Sequence, residues 1–118
     1  MMNIKRGAII SVDFEPTQES EIRKTRPAVV VSNEVANAKS SLLTVVPLTP
    51  KRLERIFPFE VFIERALGLT KPSKVLCDQV LSIDRNRVKE VLGKVSDSNI
   101  KKINSALALH LDLILARS

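Results

Sequence analysis

The chain has 118 residues, with 19 Lys or Arg against 13 Asp or Glu, giving a formal net charge of +6. That length suits one domain around a single core, taken here as 1–118, and the positive balance favours a polyanionic partner, nucleic acid or an acidic protein. Its one cysteine, Cys77, excludes an internal disulfide and fits a reducing cytoplasm, and no apolar run suits a signal peptide or a membrane span.

Ala8, Ile10, Val12 and Phe14 alternate with Ile9, Ser11 and Asp13 behind Gly7, the period of a first strand. From Glu15 to Thr25 the chain is polar and charged, too long for a simple hairpin connection, and loops of that kind carry function or move. Arg26-Pro27 then leads into Ala28, Val29, Val30 and Val31, a second strand buried on both faces, closed by the capping residues Ser32 and Asn33. Residues 33–41 read as a short helix or turn. Leu42 to Leu48 is a third strand stopped at Thr49-Pro50.

Lys51 to Pro58 is a basic connection carrying Lys51, Arg52 and Arg55. Phe59, Val61 and Ile63 alternate with Glu60, Phe62 and Glu64 as a fourth strand that turns Phe62 outward, a weak sign of a partner surface. After a turn over Gly68 to Lys74, the run Val75 to Ile83 reads as a fifth strand interrupted by Asp78 and Gln79, polar residues that need partners or a role. Asp84 caps a helical turn through Arg87, and Val88 to Val95 is a last strand. Ser96 or Asp97 caps a terminal helix with apolar positions Ile100, Ile103, Leu107, Leu111 and Ile114 and a second stripe of Leu109 and Leu113. This order describes a mainly β protein with α, a strongly curved antiparallel sheet or partly open barrel of short strands with a C-terminal helix. The excess apolar surface on that helix and at Phe62 points to a homodimer.

The stretch Lys24 to Asn33 carries the first functional clue. Pro27 fixes its own φ and biases Arg26 towards extended backbone, so the guanidinium sits at the rim of a stiff strand, a setting that suits a phosphate or carboxylate. Taken alone, it equally describes a surface arginine before a proline. Cys77 lies in an apolar run and reads as core, and with no Cys/His cluster or dense carboxylate group the sequence offers no metal site or cofactor.

Several segments in order, Lys5-Arg6-Gly7 to Asp13-Phe14, Pro16-Thr17 with Ser20-Glu21, Thr25 to Asn33, Val46 to Thr49, Pro58 to Val61, and Cys77-Asp78-Gln79-Val80 with Ser82-Ile83-Asp84, together resemble the MazF/PemK family of toxins. The resemblance implies a sheet-rich fold of five to seven short strands like an SH3 barrel, and a homodimer. It also implies a metal-independent endoribonuclease cutting single-stranded RNA at short sequences in the cytoplasm, and a cognate antitoxin that blocks the RNA groove. Carried over by position, Arg26 matches the family's active-site arginine and Thr49 the hydroxyl residue beside it. Glu21 matches a first-loop glutamate near the RNA, and Asp78 an acid invoked as general base in some members. Glu19 stands where the family usually has glycine, and Leu76 where some members have arginine.

Metal-free cleavage through the ribose 2′-OH needs a proton acceptor and stabilisation of charge on the phosphorane. Arg26 suits the phosphate, since its fork donates two hydrogen bonds and a guanidinium holds its proton too firmly to act as a base. Thr49 adds a hydroxyl, and the base is Glu21 or Asp78. Arg23, Lys24, Lys51, Arg52, Arg55 and Gln79 are the expected RNA contacts, and four Phe as the only aromatics leave base recognition to hydrogen bonds. His110, the single histidine, excludes a two-histidine scheme and reads as structural or surface. The alternatives are a non-enzymatic toxin of the CcdB type, which binds gyrase through a similar fold, or an inactive homologue.

Overall fold

The computed structural model describes residues 2–14 and 25–114. Within them run β1 (Ala8–Asp13), β2 (Thr25–Val30), α1 (Glu34–Lys39), β3 (Leu42–Thr49), β4 (Glu60–Ile63), β5 (Ser73–Leu76), β6 (Leu81–Asp84), a 3-10 turn (Arg85–Arg87), β7 (Val88–Lys94) and α2 (Asp97–Leu111). The strands pair antiparallel in the order β4-β5-β3-β2-β1-β7, with β6 also beside β3. Two register shifts in the β1–β7 pairing add the bend that curls such a sheet into a small barrel.

The central strands are apolar at consecutive positions because both of their faces are buried. Ile9, Val29, Val46 and Leu48 join Ile103 and Ala106 of α2 in one core cluster. The alternate residues Ile10, Val12, Ala28, Val30, Leu43 and Val45 build a second with Ile83 and Val88. The predicted caps are in place: Asn33 Oδ1 accepts from the Ala36 N–H at 2.8 Å, Asp84 Oδ1 from Asn86 at 2.7 Å and Ser96 Oγ from Asn99 at 3.1 Å. At the β7 edge, a Cβ on Gly93 would stand 1.8 Å from the carbonyl oxygen of Leu67, so only glycine lets the β4–β5 connection lie against β7.

Three expectations need correction. The run Val75 to Ile83 is not one strand: β5 ends at Leu76, β6 starts at Leu81, and the N–H of Gln79 bonds back to Leu76 O at 3.0 Å to close a turn. β3 pairs Leu48 with Val75 and Val45 with Leu81, so three steps along β3 face six along its neighbour, and the surplus is expelled as this turn. The ladder also begins earlier than expected, since Ser73 and Lys74 belong to β5 and not to the preceding turn. The terminal helix is shorter than its apolar spacing: Asp112 takes a left-handed conformation (φ 57°) and ends it, so Leu113 and Ile114 lie past the helix. Its buried residues are Ile103, Ala106 and Ala108, while Leu109 and Leu111 are exposed. Phe62 is exposed as the alternation predicts.

Candidate active site

β2 and β3 pair through Val30–Val45, Val29–Val46 and Ala28–Pro47, and there the ladder stops. Pro47 has no N–H to give, nor has Pro27 one residue further along β2. Beyond that point β2 continues beside β1, with Arg26 opposite Val12, and β3 beside β5, with Thr49 opposite Lys74. Extended two residues, the broken register would set Arg26 opposite Thr49; instead the two strands part and a cleft of about 680 Å³ opens between them. Both residues share the strand face of Ala28, Val45 and Pro47, so side-chain alternation turns them into the same opening.

Arg26, Thr49, Lys51, Arg52 and Gln79 all line this cleft, with Phe14, Leu76 and Leu81 as apolar lining. Arg26 is exposed and, like Lys51 and Arg52, has no ion-pair partner among the described residues, so three guanidinium or ammonium groups line the opening with no described carboxylate bound to them. Thr49 Oγ1 accepts the N–H of Lys51 at 3.1 Å, which tightens the strand end and leaves the hydroxyl proton to donate. Arg52 is held at φ 58°, a left-handed conformation that costs a non-glycine residue of the order of 1–2 kcal/mol and fixes its position at the rim.

The structure does not gather every candidate. Glu21, Arg23 and Lys24 lie outside the described residues. Arg55 turns from the cleft to stack over Phe57, its guanidinium carbon 4.8 Å from the ring centroid. Asp78 sits in the turn beside Gln79 without lining the cleft, and its Oδ1 is buried with no hydrogen-bond partner among the described residues. His110 is exposed on α2, 6.4 Å from the Phe59 ring centroid. Cys77 is fully buried, and burial first, then the charges of Asp78 and Glu60, pushes its thiol up to about 12 from an ordinary 9.0. A thiol so placed stays protonated and is core, as its apolar neighbours suggested.

One buried pair escaped the sequence reading. Lys74 Nζ donates to Glu60 Oε1 at 2.9 Å and to the carbonyl of Arg55 at 3.0 Å; the Lys74 and Glu60 side chains are only 5% and 7% exposed. Glu60 Oε1 also accepts the N–H of Phe57 at 3.0 Å, so the pair ties the basic 51–59 connection onto β4 and β5. Both side chains line the cleft. Alternation placed Glu60 outward and the turn assignment hid Lys74; only the β4–β5 register, Glu60 with Leu76 and Phe62 with Lys74, brings them diagonally together.

The model of the PemK-like, MazF-like toxin of type II toxin-antitoxin systems matches residues 5–111. The chain belongs to this family. Endoribonuclease MazF9 of Mycobacterium tuberculosis is 38% identical over 116 residues, covering 93% of this chain and 98% of the relative. Endoribonuclease MazF of Staphylococcus saprophyticus is 34% identical over 116 residues, covering 98% and 97%. Among solved structures, a mycobacterial endoribonuclease in complex with its cognate antitoxin superposes with a TM-score of 0.79 at 26% identity, covering 97% of this chain and 100% of that one. A MazE-MazF structure from Deinococcus radiodurans reaches 0.77 at 26% identity over 94% and 97%. The mainly β barrel with its C-terminal helix is therefore the MazF-type fold. Among the described residues no helix is long and apolar enough to cross a membrane.

Proposed function

We propose that this chain is the toxin of a type II toxin-antitoxin pair and acts as an endoribonuclease on single-stranded RNA. The observation that carries the reading is the cleft itself: an arginine with no ion-pair partner among the described residues and a threonine both line it where β2 and β3 separate, together with Lys51 and Arg52. This is a place for one phosphate with room on either side for the chain that carries it.

In this mechanism the ribose 2′-OH attacks its own phosphorus and the bond to the 5′ oxygen breaks, leaving a 2′,3′-cyclic phosphate and, with a proton from solvent, a 5′-OH. Arg26 donates to the non-bridging oxygens as negative charge builds, and Thr49 donates its remaining hydroxyl proton to the same phosphate. The 2′-OH proton passes to a carboxylate, Glu21 or Asp78. Lys51, Arg52 and Gln79, together with Arg23 and Lys24, hold the strand, while Arg55 stays on Phe57. The same basic surface suits an antitoxin with an acidic segment, and exposed Phe62, Leu109 and Leu111 suit a homodimer. Acting on messenger RNA in the cytoplasm, such cleavage stops translation and growth.

The test is incubation with a long single-stranded RNA in excess EDTA, mapping ends by primer extension, with Arg26→Ala in parallel. Cuts at a short sequence with cyclic phosphate ends, lost by on the order of 100-fold or more in the variant while its circular dichroism is unchanged, are expected. No cutting by the folded wild-type chain on a broad set of RNA sequences overturns the ribonuclease reading.

A further inference from the structure

The Glu60–Lys74 pair is more than an anchor for the 51–59 connection. Glu60 Oε1 is fully engaged, accepting from Lys74 and from the Phe57 N–H, whereas Oε2 has no hydrogen-bond partner among the described residues although the side chain lines the cleft. Lys74 Nζ spends two of its three protons on Glu60 and on Arg55 O and keeps one. Thr49 and Lys74 are direct cross-strand neighbours, so this free acceptor and donor lie on the same sheet face as the hydroxyl assigned to the phosphate. Glu60 is the one carboxylate among the described residues lining the cleft, whose other charged lining groups are cations.

A carboxylate oxygen with an unused lone pair, on a side chain only 7% exposed and beside cations that hold a phosphate, has one evident complement on a nucleic acid apart from the ribose hydroxyl. That is an N–H on the edge of an unstacked base. Exocyclic amines of cytosine, adenine and guanine donate to it, whereas uracil presents two carbonyl oxygens flanking its single N–H and repels it. Resting on the ribonuclease reading, we propose that Glu60, oriented by Lys74, is a specificity-determining residue that reads one base next to the cleaved phosphate and selects an amino-bearing base over uracil there. A site built to pair a hydrogen-bonding group discriminates more sharply than shape alone, because the wrong base leaves that group buried and unpaired.

The experiment is cleavage of a randomised single-stranded RNA pool, with sequencing of the new ends, by wild type, Glu60→Gln and the double variant Glu60→Gln/Lys74→Met. The double variant removes both charges and keeps the volume, so a fold lost through a stranded ammonium in the single variant is recovered in it. Wild type is expected to exclude uracil at one position next to the cut by on the order of tenfold. The folded variants are expected to admit uracil at that position while keeping their preferences elsewhere. A profile in the folded double variant identical to wild type, or wild-type acceptance of uracil at every position near the cut, overturns the assignment while leaving the ribonuclease intact. Absence of cutting by wild type overturns the ribonuclease reading and this inference with it.

Discussion

Replacing Lys74 by Met tests the energetic account of the cleft. The ammonium makes two bonds, to Glu60 Oε1 at 2.9 Å and Arg55 O at 3.0 Å, from a side chain 5% exposed. Removing it leaves the Glu60 carboxylate, itself 7% exposed, with only the Phe57 N–H, and leaves the Arg55 carbonyl without its donor. Breaking one partner of a buried pair costs about 3–5 kcal/mol. With an unfolding entropy of about 2.1 cal/mol/K per residue, the 118-residue chain loses Tm by ~4 °C for each kcal/mol, so a fall of ~12–20 °C is expected. Adding Glu60→Gln removes the stranded charge, and the double variant should recover most of that fall, since neutral groups of like volume replace a buried pair at little net cost. The assay is thermal unfolding of the four proteins of the cycle, followed by circular dichroism at one protein concentration. A Lys74→Met protein within ~3 °C of wild type, or a double variant as unstable as the sum of the singles, would refute the coupling.

Cys77 sets an alkaline limit. The folded thiol holds its proton up to about 12 while the unfolded one releases it near 9.0, so the folded state binds more protons between those values and stability falls as pH rises through them, by up to ~1.4 kcal/mol per unit. Cys77→Ala should flatten that slope in urea titrations above pH 9.0, and parallel curves for the two proteins would exclude it. Thr49→Ser should keep cleavage, whereas Thr49→Val should lose about 10- to 100-fold in single-turnover rate and about 1 kcal/mol of stability with the Lys51 N–H bond. Lys51→Ala and Arg52→Ala should each lower the salt slope of RNA binding by about 0.7 in a log–log plot, and unchanged slopes would remove those residues from the RNA path. Gly93→Ala should fail to fold or lose several kcal/mol, because its Cβ meets the Leu67 carbonyl.

What sequence disclosed here follows from what periodicity measures. Alternation and double burial mark β1, β2 and β3 because the two core clusters take alternate residues of the same strands. The caps at Asn33, Asp84 and Ser96 were legible because their partners lie two or three residues away. The turn at Cys77 to Val80 was not, since it has no glycine or proline and arises from a register conflict with β3, a partner distant in sequence. Lys74 was hidden for the same reason: lysine is buried only when paired, and its partner lies across a strand ladder whose register no local pattern encodes. The end of α2 at Asp112 was missed because apolar spacing continues through Leu113 and Ile114 after the backbone has left the helix.

The location of the site follows from the same ladder. A central strand pair ordinarily closes its edges with hydrogen bonds, and an opening in it exposes backbone groups at a cost. Here Pro27 and Pro47 supply no N–H at the point of separation, so fewer donors are left unsatisfied when β2 turns to β1 and β3 to β5. Arg26 and Thr49 then stand at the ends of strands whose other edges remain paired, which fixes them more firmly than a loop would. The basic connection that completes the cleft is tied down by Lys74 through the Arg55 carbonyl and by Glu60 through the Phe57 N–H. Loosening that buried pair should therefore disturb the approach of Lys51 and Arg52 to a bound strand before it disturbs Arg26, which is why the Lys74 variants belong in the same binding experiments as the surface cations.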